Sequence, residues 1–247
     1  MVDIHCHILH RFDDGSASLE ESLAMARMAA DSGVTDIVAT PHFPGEAASL
    51  RNLPRLMERY KTLSEAIAAE QIPLRLHPGA EILCTADTAA LADRHLLPTI
   101  GETSYCLTEF YFDEDYQFMN RMLHRLADAG YRPVVAHPER YRAIQQQPMV
   151  LERWFGRGYV LQLNKGSVLG AFGPRVQQTA SRILDAGLAH IIASDAHSAT
   201  RRTPHMEQLM DWLEQNLDEN YARVLTRENP GRLIRGKSMV PTELSSL

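Results

Sequence analysis

Short apolar segments alternate along the chain with longer amphipathic segments. The apolar segments are near-continuous runs rich in β-branched and small residues, which is typical of strands in a parallel sheet covered by helices. Seven strands are predicted, at Val2–His7, Val34–His42, Leu74–Glu81, Tyr105–Glu109, Arg132–His137, Tyr159–Asn164 and Leu188–Asp195.

Between these strands, apolar residues recur at the spacing of a helix. Ser18 and Glu21 form the pattern of a capping box, and the helix that follows is expected to end at Gly33. Further amphipathic helices are predicted at Pro54–Glu70, Asp115–Ala129, Pro148–Arg157 and Pro174–Asp185.

Strict alternation of strands and helices, without a linker or low-complexity tract, predicts one α/β domain over residues 1–247. The length of 247 residues suits a single β/α barrel. The tail from about Pro204 to Leu247 is predicted to form one or two helices packed outside the barrel. Asn229-Pro230-Gly231 is expected to be a turn between them.

Composition narrows the class of protein. The chain is 45% hydrophobic and 23% charged, as in a globular protein with a large core, and its net charge is -6. No cluster of Lys and Arg indicates a surface for nucleic acid or anionic membranes. Three scattered cysteines do not form a disulfide framework, no charged leader with an apolar core precedes His5, and no apolar run approaches the roughly 20 residues of a membrane span. A reducing cytoplasm is the expected compartment.

The first strand contains a His-x-His pair. Alternation along a strand predicts that Asp3, His5 and His7 share one face, while Val2, Ile4, Cys6 and Ile8 share the other. Two imidazoles on one strand face are able to bind the same metal ion.

Metal-type ligands recur where the predicted strands end. In a parallel barrel the carboxyl ends of all strands open on the same face, where active sites are found. Six of the seven strands would deliver such ligands there, and the sixth strand along the chain delivers Asn164 instead. The candidate metal ligands are His5, His7, Asp14, His42, Glu81, Glu109, His137, Asp195 and His197.

Each ligand taken alone has an ordinary interpretation, because the chain carries histidines elsewhere as well. Glu81 and Glu109 are more specific, since acidic residues that end apolar runs are rarely buried unless they are paired or bind metal. The cysteines are assigned to packing. A cysteine-nucleophile phosphatase loop, which needs an arginine six residues after the cysteine, is excluded because Phe12, Ala90 and Phe112 occupy those positions.

Seven motifs contain the candidate ligands: His5-Cys6-His7, Asp13-Asp14-Gly15, Thr40-Pro41-His42, Gly79-Ala80-Glu81, Thr108-Glu109-Phe110, Ala136-His137-Pro138-Glu139-Arg140 and Ser194-Asp195-Ala196-His197. Together they resemble the motifs of the polymerase-and-histidinol-phosphatase (PHP) superfamily. Three segments are more closely similar to its bacterial branch of capsule and exopolysaccharide protein-tyrosine phosphatases: Asp13-Asp14-Gly15, His137-x-Glu139-Arg140 and Arg202-Thr203-Pro204-His205-Met206. The match runs from Met1 to about Met206.

The resemblance implies a distorted seven-stranded TIM-like (β/α) barrel with two or three divalent cations, most often Mn²⁺, with Fe, Zn, Mg or Co as alternatives. It implies that Arg140 and Arg202 contact the phosphate. It further implies three metal positions: one held by His5, His7, Glu81 and Asp195; a second sharing Glu81 and held by Glu109 and His137; and a third held by Asp14, His42 and His197.

A cluster of divalent cations suits hydrolysis of phosphomonoesters, because the cations bind phosphoryl oxygens and activate a water for in-line attack without a phosphoenzyme. The resemblance implies a phosphotyrosine protein as substrate, with a bacterial tyrosine kinase as the expected partner. The alternatives are a small-molecule phosphatase of the histidinol-phosphate type, an amidohydrolase and a non-catalytic metal-binding module.

Overall fold

The computed structural model describes residues 1–242. Within them, nine short strands pair in parallel as a three-stranded sheet, β1-β2-β4, and a six-stranded sheet, β3-β5-β6-β7-β8-β9. The strands are β1 (Val2–Cys6), β2 (Asp36–Ala39), β3 (His42–Pro44), β4 (Arg75–Pro78), β5 (Glu81–Leu83), β6 (Tyr105–Glu109), β7 (Arg132–Ala136), β8 (Val160–Asn164) and β9 (Ile191–Ala193).

Two of the predicted strands are each divided between the sheets. Val34–His42 becomes β2 and β3, and Leu74–Glu81 becomes β4 and the start of β5. Pro41 lies at the first break and has no N–H for a sheet hydrogen bond. Gly79 lies at the second, where a Cβ would come within 2.7 Å of the Val38 side chain. The prediction of two continuous strands is therefore wrong at these positions.

The first strand also meets the last. The backbone N–H of His7 donates to the carbonyl of Ala196 at 2.8 Å, and the N–H of Asp195 donates to the carbonyl of His5 at 2.8 Å. These bonds bring the segment after β9 beside the end of β1. The predicted α/β class with parallel strands is confirmed, and a single closed barrel remains a prediction.

Helices connect the strands and surround them. Ser18 caps the first helix, and its hydroxyl accepts the N–H of Glu21 at 3.2 Å, as the capping box predicts. None of the helices within residues 1–242 has the length and apolar character needed to cross a membrane. They are α1 (Leu19–Asp31), α2 (Leu53–Ala69), α3 (Thr88–Asp93), α4 (Tyr116–Asp128), α5 (Arg142–Gln146), α6 (Leu151–Gly156), α7 (Lys165–Val168), α8 (Pro174–Asp185), α9 (Glu207–Asn216), α10 (Glu219–Arg223) and α11 (Asn229–Leu233).

The helical tail differs from its prediction at Asn229-Pro230-Gly231, which opens α11 instead of forming a turn. Proline is tolerated in the first turn of a helix, because an N–H there has no partner inside the helix. The Asn229 side chain donates to the carbonyl of His190 at 3.1 Å and accepts the N–H of Val240 at 2.7 Å. Of the predicted extension, residues 243–247 lie outside the described residues.

The first strand does not alternate simply. Val2 and Ile4 belong to a small apolar cluster with Leu107 and Val134, whereas Cys6 and Ile8 belong to the larger core. The register against β2 shifts between Asp3 and Cys6, as it does at a β-bulge. The prediction that Val2, Ile4, Cys6 and Ile8 share one face is therefore wrong.

The Asp3 side chain forms hydrogen bonds with the backbone in this irregular segment. Its Oδ1 accepts the N–H groups of Ser194 at 3.0 Å and of His5 at 3.3 Å. It thereby ties the end of β9 to β1, next to the histidines, and its carboxylate is fully buried.

His190 is a buried histidine outside the cluster of candidate metal ligands, and its ionisation is expected to affect the stability of the fold. Its Nδ1 accepts the N–H of Leu161 at 3.1 Å, and burial lowers the pKa of His190 to about 4. The unfolded chain, with an ordinary pKa near 6.5, therefore binds a proton that the folded chain does not. This contribution to stability is complete above pH 6.5 and is lost as the pH falls toward 4, by about 3 kcal/mol in total.

We therefore expect His190→Asn to reduce the loss of unfolding free energy between pH 7 and pH 4.5. Asparagine keeps an acceptor for the Leu161 N–H but does not titrate. Urea unfolding of both proteins in chelator measures the difference, so that metal binding does not enter. Equal pH dependence in the two proteins would contradict this role for His190.

Candidate metal centre

The nine predicted metal ligands come together in the structure. Within residues 1–242, ligand-type atoms lie within 4.8 Å of one another in four overlapping groups. The groups are His7, Asp14, His42 and His197; His5, His7 and Glu81; His5, His137 and Asp195; and His42, Glu81 and Glu109.

Glu81 lies at the centre of this arrangement. It is only 1% exposed, and its carboxylate lies 3.0 Å from Nδ1 of His42, 3.0 Å from Nε2 of His137, 3.1 Å from Nε2 of His5 and 3.3 Å from Nε2 of His7. Burial alone would raise the pKa of Glu81, but His5 and hydrogen bonds from the other imidazoles hold it well below its ordinary value. A carboxylate so placed is able to bridge two cations.

Asp195 is a second residue around which several histidines gather. Its Oδ1 lies 3.5 Å from Nε2 of His5 and 3.6 Å from both Nε2 of His7 and Nδ1 of His197. Asp195 and His137 both have left-handed backbone conformations, with φ of 49° and 35°. Such conformations are costly for residues with a side chain and are typical of functional sites.

Asp14 lies at the more solvent-exposed end of the cluster. Its Oδ1 lies 3.4 Å from Nε2 of His42 and 3.6 Å from Nε2 of His197, and its side chain is 65% exposed. The rings of His7 and His197 stack with centroids 3.9 Å apart. Asp14, His42 and His197, the third ligand set that the family resemblance implies, therefore lie close together, and their role as metal ligands stays a prediction.

The environment of the Glu109 carboxylate indicates that this set of side chains suits divalent cations. Burial and the nearby Glu81 carboxylate raise the pKa of Glu109 to about 7. Its oxygens lie 3.5 Å from both His42 and His137, so it is placed between two of the implied metal positions. Buried carboxylates that repel one another, surrounded by imidazoles, match the ligand preference of borderline divalent cations.

Strand β8 supplies two side chains that orient these residues and to which sequence reasoning assigned no role. From β8, Oε1 of Gln162 lies 2.9 Å from Nδ1 of His5, and Nε2 of Gln162 donates to Asn164 at 2.9 Å. Asn164 in turn donates to Asp195. Partners of this kind fix the orientation of metal ligands. Gln162 lies two residues before Asn164, so period-two alternation could have indicated it.

Asp13 orients a ligand from the first loop. Its Oδ2 lies 2.7 Å from Nδ1 of His7 and accepts the backbone N–H of His42 at 2.9 Å. Asp13 therefore fixes the His7 ring and the start of β3 together, while the adjacent Asp14 is left facing the cavity.

Arg140 and Arg202, which the resemblance implies as phosphate contacts, lie beside this cluster. Nη1 of Arg140 is 3.5 Å from Oδ2 of Asp195, and Nη2 of Arg202 contacts the same oxygen. Glu139, the neighbour of Arg140 in sequence, is fully buried and accepts the N–H of Asn164 at 2.9 Å. Both guanidinium groups line the cavity that the metal-type ligands surround.

The Arg202 loop is held from the neighbouring strand. Nζ of Lys165, the residue after β8, donates to the carbonyl of His205 at 2.8 Å and also contacts the carbonyl of Thr203. Arg202 itself has a left-handed backbone with φ of 48°. These contacts fix the loop that presents the guanidinium to the cavity.

The cysteines are packing residues, as predicted. Cys6, Cys84 and Cys106 are free and belong to the larger core, and burial raises the pKa of Cys106 to about 12 and that of Cys6 well above its ordinary value. Such thiols are not nucleophiles at neutral pH.

We therefore expect Cys6→Ser to keep most of its activity and all of its metal, although Cys6 lies between two histidine ligands. Turnover and metal content of the folded variant measure this. A collapse of turnover would show that the thiol takes part in the chemistry.

Fold and site together define a class: an α/β protein of parallel strands, with a cluster of His, Asp and Glu side chains that could hold metal and two guanidinium groups beside it. Over residues 1–235 the sequence matches the family described as capsular polysaccharide synthesis, CpsB/CapC. The chain belongs to this family. The branch predicted from the sequence motifs is thereby confirmed.

Individual relatives agree over nearly the whole length. The chain is 36% identical to the tyrosine-protein phosphatase YwqE of Bacillus subtilis, covering 97% of this chain and 93% of the relative. It is 30% identical to the tyrosine-protein phosphatase CpsB of Streptococcus pneumoniae, covering 95% and 98%. A solved structure, from work on YwqE and CpsB as unique metal-dependent tyrosine phosphatases, matches with a TM-score of 0.86 and 32% identity, covering 100% of both chains.

Proposed function

We propose that this chain is a metal-dependent protein-tyrosine phosphatase. The observation that carries the proposal is the clustering of nine metal-type residues, seven of which line one cavity of about 190 Å³ together with two arginines. Similarity to named tyrosine-protein phosphatases over nearly the full length supports the reaction and its substrate class.

The proposed cofactor is a set of two or three divalent cations, most often Mn²⁺, which would neutralise phosphoryl oxygens and make a water more acidic. Iron, zinc, magnesium or cobalt are the alternatives. The proposed ligands are those that the resemblance implies: His5, His7, Glu81 and Asp195 for one ion, Glu81, Glu109 and His137 for a second, and Asp14, His42 and His197 for a third.

The chain's own residues bind and orient the substrate. Arg140 and Arg202 offer planar, charge-assisted donors to phosphoryl oxygens that the cations do not reach. Asp195 forms ion pairs with both guanidinium groups and so helps to fix where they point. Water supplies the new oxygen on phosphorus, the bond to the tyrosine oxygen breaks, and phosphate and tyrosine are the products. No cysteine is placed to form a phosphoenzyme, since all three are buried in the core.

The proposal extends to the protein partner and the compartment. We propose a bacterial tyrosine kinase of capsule or exopolysaccharide synthesis as the substrate, and a reducing cytoplasm as its location, in keeping with three free thiols. We also infer that the two sheets form one distorted seven-stranded barrel, supported by the bonds between β1 and the segment after β9.

Activity of Mn²⁺-reconstituted protein on three substrates tests the proposal. We expect kcat/KM to be highest for a phosphotyrosine peptide and much lower for the matched phosphoserine peptide and for histidinol phosphate. A preference for histidinol phosphate would overturn the proposal in favour of a small-molecule phosphatase. Equal absence of activity on all three would favour a non-catalytic metal-binding module.

A further inference from the structure

The candidate site has one apolar wall. Within residues 1–242, ten residues line the cavity, and nine of them are metal-type ligands or arginines. The tenth is Phe112, which is 42% exposed. An apolar part of a ligand that covers this side chain would gain free energy by leaving water.

Phe112 is held in place although it is exposed. It lies in the loop after β6, and its carbonyl accepts the N–H of Arg142 at 2.8 Å, which ties this loop to the segment that carries Arg140. The Arg140 guanidinium lies 4.3 Å from the centre of the Phe112 ring. One face of Phe112 therefore contacts an arginine of the site, while part of the ring faces the open cavity.

Phe172 provides an internal comparison. Its ring lies 4.4 Å from the Arg140 guanidinium, so that Arg140 contacts two aromatic rings. A Cβ on Gly166 would come within 2.8 Å of the Phe172 ring, which shows how closely that ring is packed. Phe172 is not among the cavity-lining residues. Phe112 and Phe172 thus share the contact with Arg140, but only Phe112 borders the space where substrate would bind.

We propose that Phe112 is an aryl-binding residue that selects phosphotyrosine over aliphatic phosphomonoesters. The inference rests on the proposed function, because it places the substrate phosphate among the metal-type ligands and arginines. With the phosphate held there, the group on its ester oxygen has to pass the rim of the cavity, where Phe112 is the apolar surface. A phenyl ring gains from offset or edge-to-face contact with Phe112, whereas a short alkyl group gains much less. Phe172 is a positioning residue for Arg140.

Equilibrium binding of two non-hydrolysable probes separates these roles. Phenylphosphonate and methylphosphonate carry the same anionic group and differ in the ring. For Phe112→Ala in Mn²⁺-loaded protein, we expect the affinity for phenylphosphonate to fall about tenfold more than the affinity for methylphosphonate. For Phe172→Ala, we expect both affinities to fall by the same factor, since that variant acts through Arg140. Tyr111→Ala, an exposed neighbour outside the cavity lining, should change neither.

Turnover and metal content complete the test. The ratio of kcat/KM for phenyl phosphate to that for ethyl phosphate should fall about tenfold in Phe112→Ala and stay constant in Phe172→Ala, at unchanged metal content. Equal losses on both substrates in Phe112→Ala would overturn the inference and leave the proposed function intact. If the wild-type protein hydrolyses neither a phosphotyrosine peptide nor phenyl phosphate, the proposed function itself has failed.

Discussion

Replacing Asp195 by alanine is expected to remove nearly all turnover, on the order of a thousandfold or more. Asp195 is 2% exposed and lies within 3.6 Å of His5, His7 and His197, so one substitution removes a carboxylate oxygen that lies close to three imidazoles. It also removes the carboxylate that both guanidinium groups contact. His7→Ala should be equally damaging, because Nε2 of His7 lies 3.3 Å from Glu81 in the same cluster.

Metal content and turnover of the purified variants measure this expectation together. Both quantities should fall in Asp195→Ala and His7→Ala, and added Mn²⁺ should not restore either. A chelator should abolish activity of the wild-type protein, and Mn²⁺ should then restore it. Asp211→Ala, which removes an exposed carboxylate from α9, is the matched control and should be silent. Full activity in metal-free wild-type protein would contradict the role assigned to the whole cluster.

The ligand cluster was predictable because it follows from local rules. Glu81, Glu109, His137 and Asp195 each end an apolar run, and parallel strands place their carboxyl ends together. Sequence alone therefore indicates which residues meet. It does not indicate which of them share an ion: Glu109 lies 3.5 Å from both His42 and His137, a position that depends on how several strands are staggered.

The departures from prediction have non-local causes. The break at Gly79 depends on the approach of the Val38 side chain from the neighbouring strand, and the irregularity in β1 depends on its pairing with β2 and with the segment after β9. Asn229 is the first residue of a helix, and its side-chain amide forms hydrogen bonds with the backbone of His190 and Val240, which lie elsewhere in the chain. Tertiary contacts of this kind override local turn signals.

The supporting network was harder to predict than the ligands themselves. Gln162 and Asn164 have no metal-binding chemistry that draws attention, yet together they connect His5 to Asp195 through side-chain hydrogen bonds. Their role depends on β8 lying between β7 and β9, which is a property of the sheet order. The sequence singles out Phe112 only because it stands where a cysteine-nucleophile loop would need an arginine. Its position on the cavity wall could be seen only in the structure.

Arg140→Ala and Arg202→Ala should keep bound metal but lose about 2–4 kcal/mol of transition-state binding, seen as a fall in kcat/KM of roughly a hundredfold or more. The metal-type ligands face only part of a phosphoryl group, so a dianionic monoester keeps an oxygen that still needs a positively charged partner. A guanidinium suits that oxygen because its donors are planar and remain charged. Both guanidinium groups border the cavity, and Nη1 of Arg202 lies 3.3 Å from Nε2 of His197.

Arg201→Ala is the matched control, since Arg201 has the same charge and adjoins Arg202 in sequence. It is exposed, and its backbone N–H donates to the Ser198 hydroxyl at 2.8 Å, a bond that survives removal of the side chain. The loop should therefore keep its shape in this variant, and kcat/KM should change little. Arg140→Lys and Arg202→Lys sharpen the comparison, because lysine keeps the charge but loses the planar pair of donors, and should recover only part of the lost rate. Wild-type kcat/KM in the Arg140 and Arg202 alanine variants, or damage confined to the Arg201 variant, would show that these guanidinium groups do not bind the phosphate.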